Sequence, residues 1–87
     1  MYALQYSDDA KKFLKQLDKH TSKRIVDRIE KLGSNPIPSD SKFIERDATG
    51  EKIFRYRIGD YRTLYKVKYS EETVLIAKID KRSRAYD

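Results

Sequence analysis

The chain has 87 residues, no cysteine and a formal net charge of +6, with 39% of its residues charged. That length predicts one domain over residues 1–87, burying on the order of 60–65% of its unfolded surface and offering shallow clefts rather than a deep cofactor chamber. The lack of cysteine excludes a disulfide framework, a thiolate nucleophile and cysteine-ligated zinc or iron–sulfur sites, while the positive excess favours polyanionic partners such as nucleic acid.

The opening residues, MYALQYSDDA, lack the basic-then-apolar pattern of a secretory signal. No apolar run approaches the roughly 20 residues needed to cross a bilayer. The expectation is a cytoplasmic protein with no membrane attachment.

Residues 2–6 read as a short first strand. Ser7 is placed to cap a helix, with Asp8 and Asp9 in its first turn, where the backbone dipole favours negative charge. Ala10, Phe13, Leu14 and Leu17 then recur at one-face helical spacing. The stretch DKHT breaks that helix, and Thr21 is positioned to cap a second, whose apolar stripe is Ile25, Val26, Ile29 and Leu32. Gly33 stands where a left-handed helix-terminating glycine belongs, and Asn35-Pro36 bars continuation. So short a connection predicts an antiparallel αα-hairpin. SNPIPSDSK reads as a loop, FIER as a short strand and DATGE as a turn. Three strand-like runs follow, at about residues 52–58, 61–69 and 73–80, and the chain ends in a basic tail, KRSRAYD. The expected fold is α+β: an N-terminal strand and an αα-hairpin packed on one face of a mainly antiparallel sheet of three to four strands.

The segment FRYRIGDYRTLYKVKY concentrates cations in the middle of that sheet. Gly59-Asp60 suits a two-residue hairpin turn of type II′ or I′. Such a turn sets Ile58 opposite Tyr61, Arg57 opposite Arg62, Tyr56 opposite Thr63 and Arg55 opposite Leu64. Alternation then puts Phe54, Tyr56, Ile58, Tyr61, Tyr65 and Val67 on one face, suited to a core beneath the helices. The other face carries Ile53, Arg55, Arg57, Arg62, Leu64, Lys66 and Lys68. Arg57 directly across from Arg62 is a like-charge pair, which destabilises a sheet unless something bridges it. Within the hairpin the available carboxylate is Asp60 at the tip. Guanidinium groups held together on rigid strands suit a phosphate, whose oxygens they bind bidentately. The plainer reading is a solvated face whose long side chains cover apolar surface, but such a face ordinarily interleaves glutamates. Lys81, Arg82, Arg84 and Tyr86 extend the basic character to the terminus, where Tyr86 offers a ring on which a base could stack.

His20, the lone histidine, falls between the helices, away from this cluster. Asp40, Glu45, Asp47 and Glu51 are scattered through loop-like sequence without metal-ligand spacing, and there is no glycine-rich phosphate loop. No metal or cofactor is expected.

Over nearly its whole length the sequence resembles the RelE/ParE toxin superfamily, on the RelE side. The resemblance is carried by the N-terminal strand and helical hairpin, by FRYRIGDYRTLYKV and by the KRSRAY tail. It implies a toxin of a type II toxin–antitoxin system: a ribosome-dependent endoribonuclease that cuts mRNA in the A site by 2′-hydroxyl attack, without a metal. It also implies inhibition by a cognate RelB-like antitoxin, with ribosome and mRNA as the other partners and a monomeric free toxin. Carried over by position, Arg55 and Arg57 match the family's two basic sheet residues. Arg62, Arg82 and Tyr86 match the arginine after the turn, the late arginine and the terminal tyrosine. These five form the implied catalytic set, and Lys52, Lys66, Lys68, Lys81 and Arg84 the expected RNA-binding set. The best-known RelE members have lysine at the two sheet positions, and Lys81 stands where many members have histidine. Arginine does not deprotonate in proteins, so Arg55 and Arg57 suit charge stabilisation rather than proton removal; Lys52 and Lys66 are the neighbouring amines. Two other readings remain open on sequence: a ParE-type inhibitor of DNA gyrase, and a basic RNA-binding module without activity.

Overall fold

The computed structural model describes residues 1–81. Arg82, Arg84 and Tyr86 therefore lie outside the described residues. Strand β1 (Ala3–Tyr6) leads into helices α1 (Asp8–Lys15) and α2 (Lys19–Glu30), followed by strands β2 (Ser41–Arg46), β3 (Lys52–Ile58), β4 (Tyr61–Lys68) and β5 (Thr73–Lys81). They form one five-stranded sheet in the order β1-β5-β4-β3-β2. This is slightly more than the three to four strands expected, because β1 joins the sheet by pairing parallel to β5 from the opposite end of the chain. The other three pairings are antiparallel.

Ser7 caps α1 as expected, its Oγ accepting the Ala10 N–H at 3.0 Å. The second cap differs from the expectation. Asp18, not Thr21, holds the N-cap position of α2, and Thr21 supplies the donor, its N–H reaching the Asp18 carboxylate at 3.1 Å. The Thr21 side chain, together with that amide, holds the Asp18 carboxyl below its ordinary range. A carboxylate accepts from an N-terminal amide more strongly than a hydroxyl does, so DKHT opens α2 instead of separating the helices. Gly33 is not a left-handed terminator either: positive φ occurs at Gly50, Gly59 and Glu72. Gly33 closes a 3₁₀ turn (Lys31–Gly33) pressed against the backbone before β1. The Tyr2 N–H donates to its carbonyl at 2.8 Å, and a Cβ there would stand 3.0 Å from the Tyr2 carbonyl oxygen. Close approach, not backbone freedom, requires glycine here.

Both helices pack on one face of the sheet. Ala10, Ile25, Ile29 and Leu32 meet Phe54, Tyr56, Ile58, Tyr65, Val74, Ile76 and Ile79 in a single buried cluster. Each such Ile, Leu or Val contributes roughly 1.5–3 kcal/mol on burial. Two polar anchors cross this layer. The Tyr65 hydroxyl donates to the Pro36 carbonyl at 2.7 Å, pinning the loop before β2. The Arg28 guanidinium reaches the Tyr56 hydroxyl at 3.2 Å and lies over its ring.

Candidate phosphate-binding face

The register of the basic hairpin is the expected one: Arg57 pairs with Arg62, Arg55 with Leu64, Tyr56 with Thr63 and Ile58 with Tyr61. Gly59 has φ +59° and Asp60 no positive φ, the pattern of a type II′ turn. Phe54, Tyr56, Ile58 and Tyr65 are buried under the helices, so alternation delivers Arg55, Arg57 and Arg62 together to the opposite face. Neither helix packs there. Strand β2 adds a cation that the sequence reading did not place: Lys42 stands directly across from Arg55. Ile53, Leu64 and Leu75, all half-buried, form an apolar floor among these charges.

The cations on this face fall into two groups. Arg62 is held by Asp80, which sits opposite it on β5; the Arg62 Nε and Nη2 donate to the two carboxylate oxygens, each at 3.3 Å. Asp60 is the carboxylate within the hairpin, but the one that holds Arg62 comes from the neighbouring strand β5. Lys66 binds Asp47 and, at 3.4 Å, Glu51; Lys68 binds Glu51 at 2.9 Å. Asp47 and Glu51 flank the β2–β3 turn, where Asp47 also accepts the Thr49 and Glu51 amide N–H groups. The Lys66 ammonium holds the Asp47 carboxyl far below the usual range, Lys68 lowers Glu51, and Asp47 in turn raises Lys66. By contrast, Lys42, Arg55 and Arg57 make no ion pair among the described residues.

Of the remaining predicted site residues, Lys52 and Lys81 fall on the helix side of the sheet: Lys52 alternates with buried Phe54, and Lys81 pairs with Tyr61, whose ring packs against Phe13. Both are exposed. His20 lies in the first turn of α2, also exposed. No group of three or more His, Cys, Asp or Glu side chains among the described residues is arranged to hold a metal ion, and no described helix is long and apolar enough to cross a membrane. Chemically, the face offers two guanidiniums without an ion pair among the described residues, an amine, and a third guanidinium already oriented by a carboxylate. Such an array is chemically suited to binding and polarising a phosphate rather than to removing protons.

The family model described as "ParE toxin of type II toxin-antitoxin system, parDE" matches residues 4–86. The chain is 36% identical over 75 residues to the "Putative toxin RelE1" of Methanocaldococcus jannaschii, spanning 86% of this chain and 83% of that one. It superimposes with a TM-score of 0.80 and 28% identity on a chain of the archaeal RelE–RelB complex from Pyrococcus horikoshii, covering 97% of this chain and 98% of that one. For the RelBE2 toxin–antitoxin complex of Mycobacterium tuberculosis the TM-score is 0.77 at 26% identity, over 93% of this chain and 98% of that one.

Proposed function

The chain belongs to the RelE/ParE superfamily of type II toxins, and from that premise we propose that it is a ribosome-dependent endoribonuclease cutting mRNA in the A site. The observation that carries this reading is the register that sets Arg55, Arg57 and Arg62 on one open face, with Lys42 beside them. In the reaction an RNA 2′-hydroxyl attacks the adjacent phosphorus, and the bond to the next nucleotide's 5′-oxygen breaks. A 2′,3′-cyclic phosphate and a 5′-hydroxyl result; the proton lost at the 2′-oxygen is balanced by the one gained at the leaving 5′-oxygen. The arginines stabilise the charge that grows on the phosphoryl oxygens, as an oxyanion hole does. Arg82 and Tyr86, outside the described residues, take the roles the resemblance gives them: a further charge, and a ring to orient the base. Lys66 is a poor base, because Asp47 and Glu51 hold it protonated, and Lys52 is on the other side of the sheet. Proton transfer then falls to Tyr86 or to the ribosome.

An antitoxin is the second expected partner. The Pyrococcus and Mycobacterium structures are toxin–antitoxin complexes, and we expect a cognate RelB-like chain that brings carboxylates to Arg55 and Arg57 and covers the apolar floor. A second reading is favoured by the description of the matching family model: a ParE-type toxin that poisons DNA gyrase and leaves RNA intact. Purified protein added to a translation mixture separates the two. Codon-phased mRNA ends support the endoribonuclease; intact mRNA together with trapped gyrase–DNA complexes establishes the gyrase poison instead.

A further inference from the structure

Asp80 reaches the open face through a bulge. Along β5, Val74 and Ile76 are buried on the helix side, so strict alternation would send Asp80 to that side as well. Instead Tyr65 pairs with Ile76 while the next residue back, Leu64, pairs with Lys78. Ala77 is therefore an extra residue in the ladder, and beyond it the phase inverts: Ile79 is buried and Asp80 faces Arg62. Ser7 pins the bulge. Its Oγ donates to the Ala77 carbonyl at 2.8 Å while accepting the Ala10 N–H, and its own N–H donates to the Ile76 carbonyl at 2.9 Å. One residue thus caps α1 and sets the phase of the last strand.

The result is a row across three strands, Arg57–Arg62–Asp80. Two guanidiniums directly opposite each other repel, and without a counter-charge their long side chains splay apart. The Asp80 carboxylate grips Arg62 by two donors, and the Arg62 side chain is only 12% exposed. Such bidentate pairing fixes a guanidinium plane as well as its position. We propose that Asp80 is a positioning residue that holds Arg62 beside Arg57 in the geometry the phosphate-binding face needs. The alternative role for a carboxylate here is a competitor, occupying Arg62 in place of phosphate. The positioning role follows from the like-charge pair it offsets and from the Ser7-pinned bulge that presents it.

This inference rests on the endoribonuclease reading, and its test separates the two. Wild type, Asp80→Asn and Asp80→Ala are compared in mRNA cleavage on translating ribosomes, in binding to a fluorescent single-stranded RNA oligonucleotide, and in the NMR signal of the Arg62 Nε–H. Both variants are expected to remain folded and to melt somewhat below wild type, because the Arg57–Arg62 pair loses the carboxylate that offsets its repulsion. Removing a negative charge strengthens oligonucleotide binding about two- to fivefold and steepens its salt dependence. Cleavage nevertheless falls about tenfold or more, through kcat rather than KM, and the Nε–H signal broadens as the guanidinium loses its fixed plane. Variants that bind more tightly and also cut as fast or faster make Asp80 a competitor and overturn the proposal. An unchanged Nε–H signal overturns it too. Wild type that fails to cut mRNA while the Nε–H signal still depends on Asp80 overturns the endoribonuclease reading but leaves the positioning geometry standing.

Discussion

Thr63 lies on the core face of β4, fully buried, and its hydroxyl has no hydrogen-bond partner among the described residues. A buried hydroxyl left unsatisfied costs about 1–3 kcal/mol in desolvation, whereas a methyl of the same shape costs nothing of the kind. Thr63→Val is therefore expected to stabilise the fold by about 1 kcal/mol, read as a melting midpoint raised by about 4–8 °C. A lowered midpoint contradicts that account. Residue-level legibility was good where it depended on near neighbours. The facing of Arg57 and Arg62 follows from one glycine turn and from alternation, both local. It failed at Asp80, because the Ala77 bulge inverts alternation and nothing in TVLIAKID marks an extra residue; the signal is the Ser7 hydroxyl, some 70 positions away in sequence.

Between elements, the β2–β3 turn and strand β4 are tied by charge. Asp47 and Glu51 looked like scattered loop carboxylates, yet the turn carries them over Lys66 and Lys68. Because the folded state depresses the Asp47 carboxyl, this tie contributes stability above the unfolded carboxylate range near about pH 4 and loses it as pH falls further. Lys66 is raised by the same contact, so its share is present below its ordinary range near about 10.5 and is lost as pH climbs through the higher folded value. Asp47→Asn should flatten the acid limb of a stability-versus-pH curve measured by urea denaturation between about pH 2 and 5. An acid limb identical to wild type removes the tie from the account. The latch also pairs Lys66 and Lys68, leaving Arg55, Arg57 and Lys42 as the cations of this face without an ion pair among the described residues. Strand β1 illustrates the other limit of sequence reading. Residues 2–6 read as a short first strand, but its parallel seat beside β5 depends on contact between the two ends of the chain.

At the level of the whole molecule, the net charge of +6 is distributed unequally in function rather than in number. Arg62, Lys66 and Lys68 are held by carboxylates, whereas Arg55, Arg57 and Lys42 make no ion pair among the described residues. A nucleic acid reading the entire surface would feel all of them; one seated on the arginine row would depend on Arg55 and Arg57 above the rest. The most direct measurement is the mapping of mRNA ends on translating ribosomes with wild type and with an Arg55→Ala/Arg57→Ala double variant shown by thermal melting to be folded. We expect codon-phased cuts from wild type that fall at least a hundredfold in the variant. Equal cutting by the two proteins would contradict the claim that this face is where the phosphate binds.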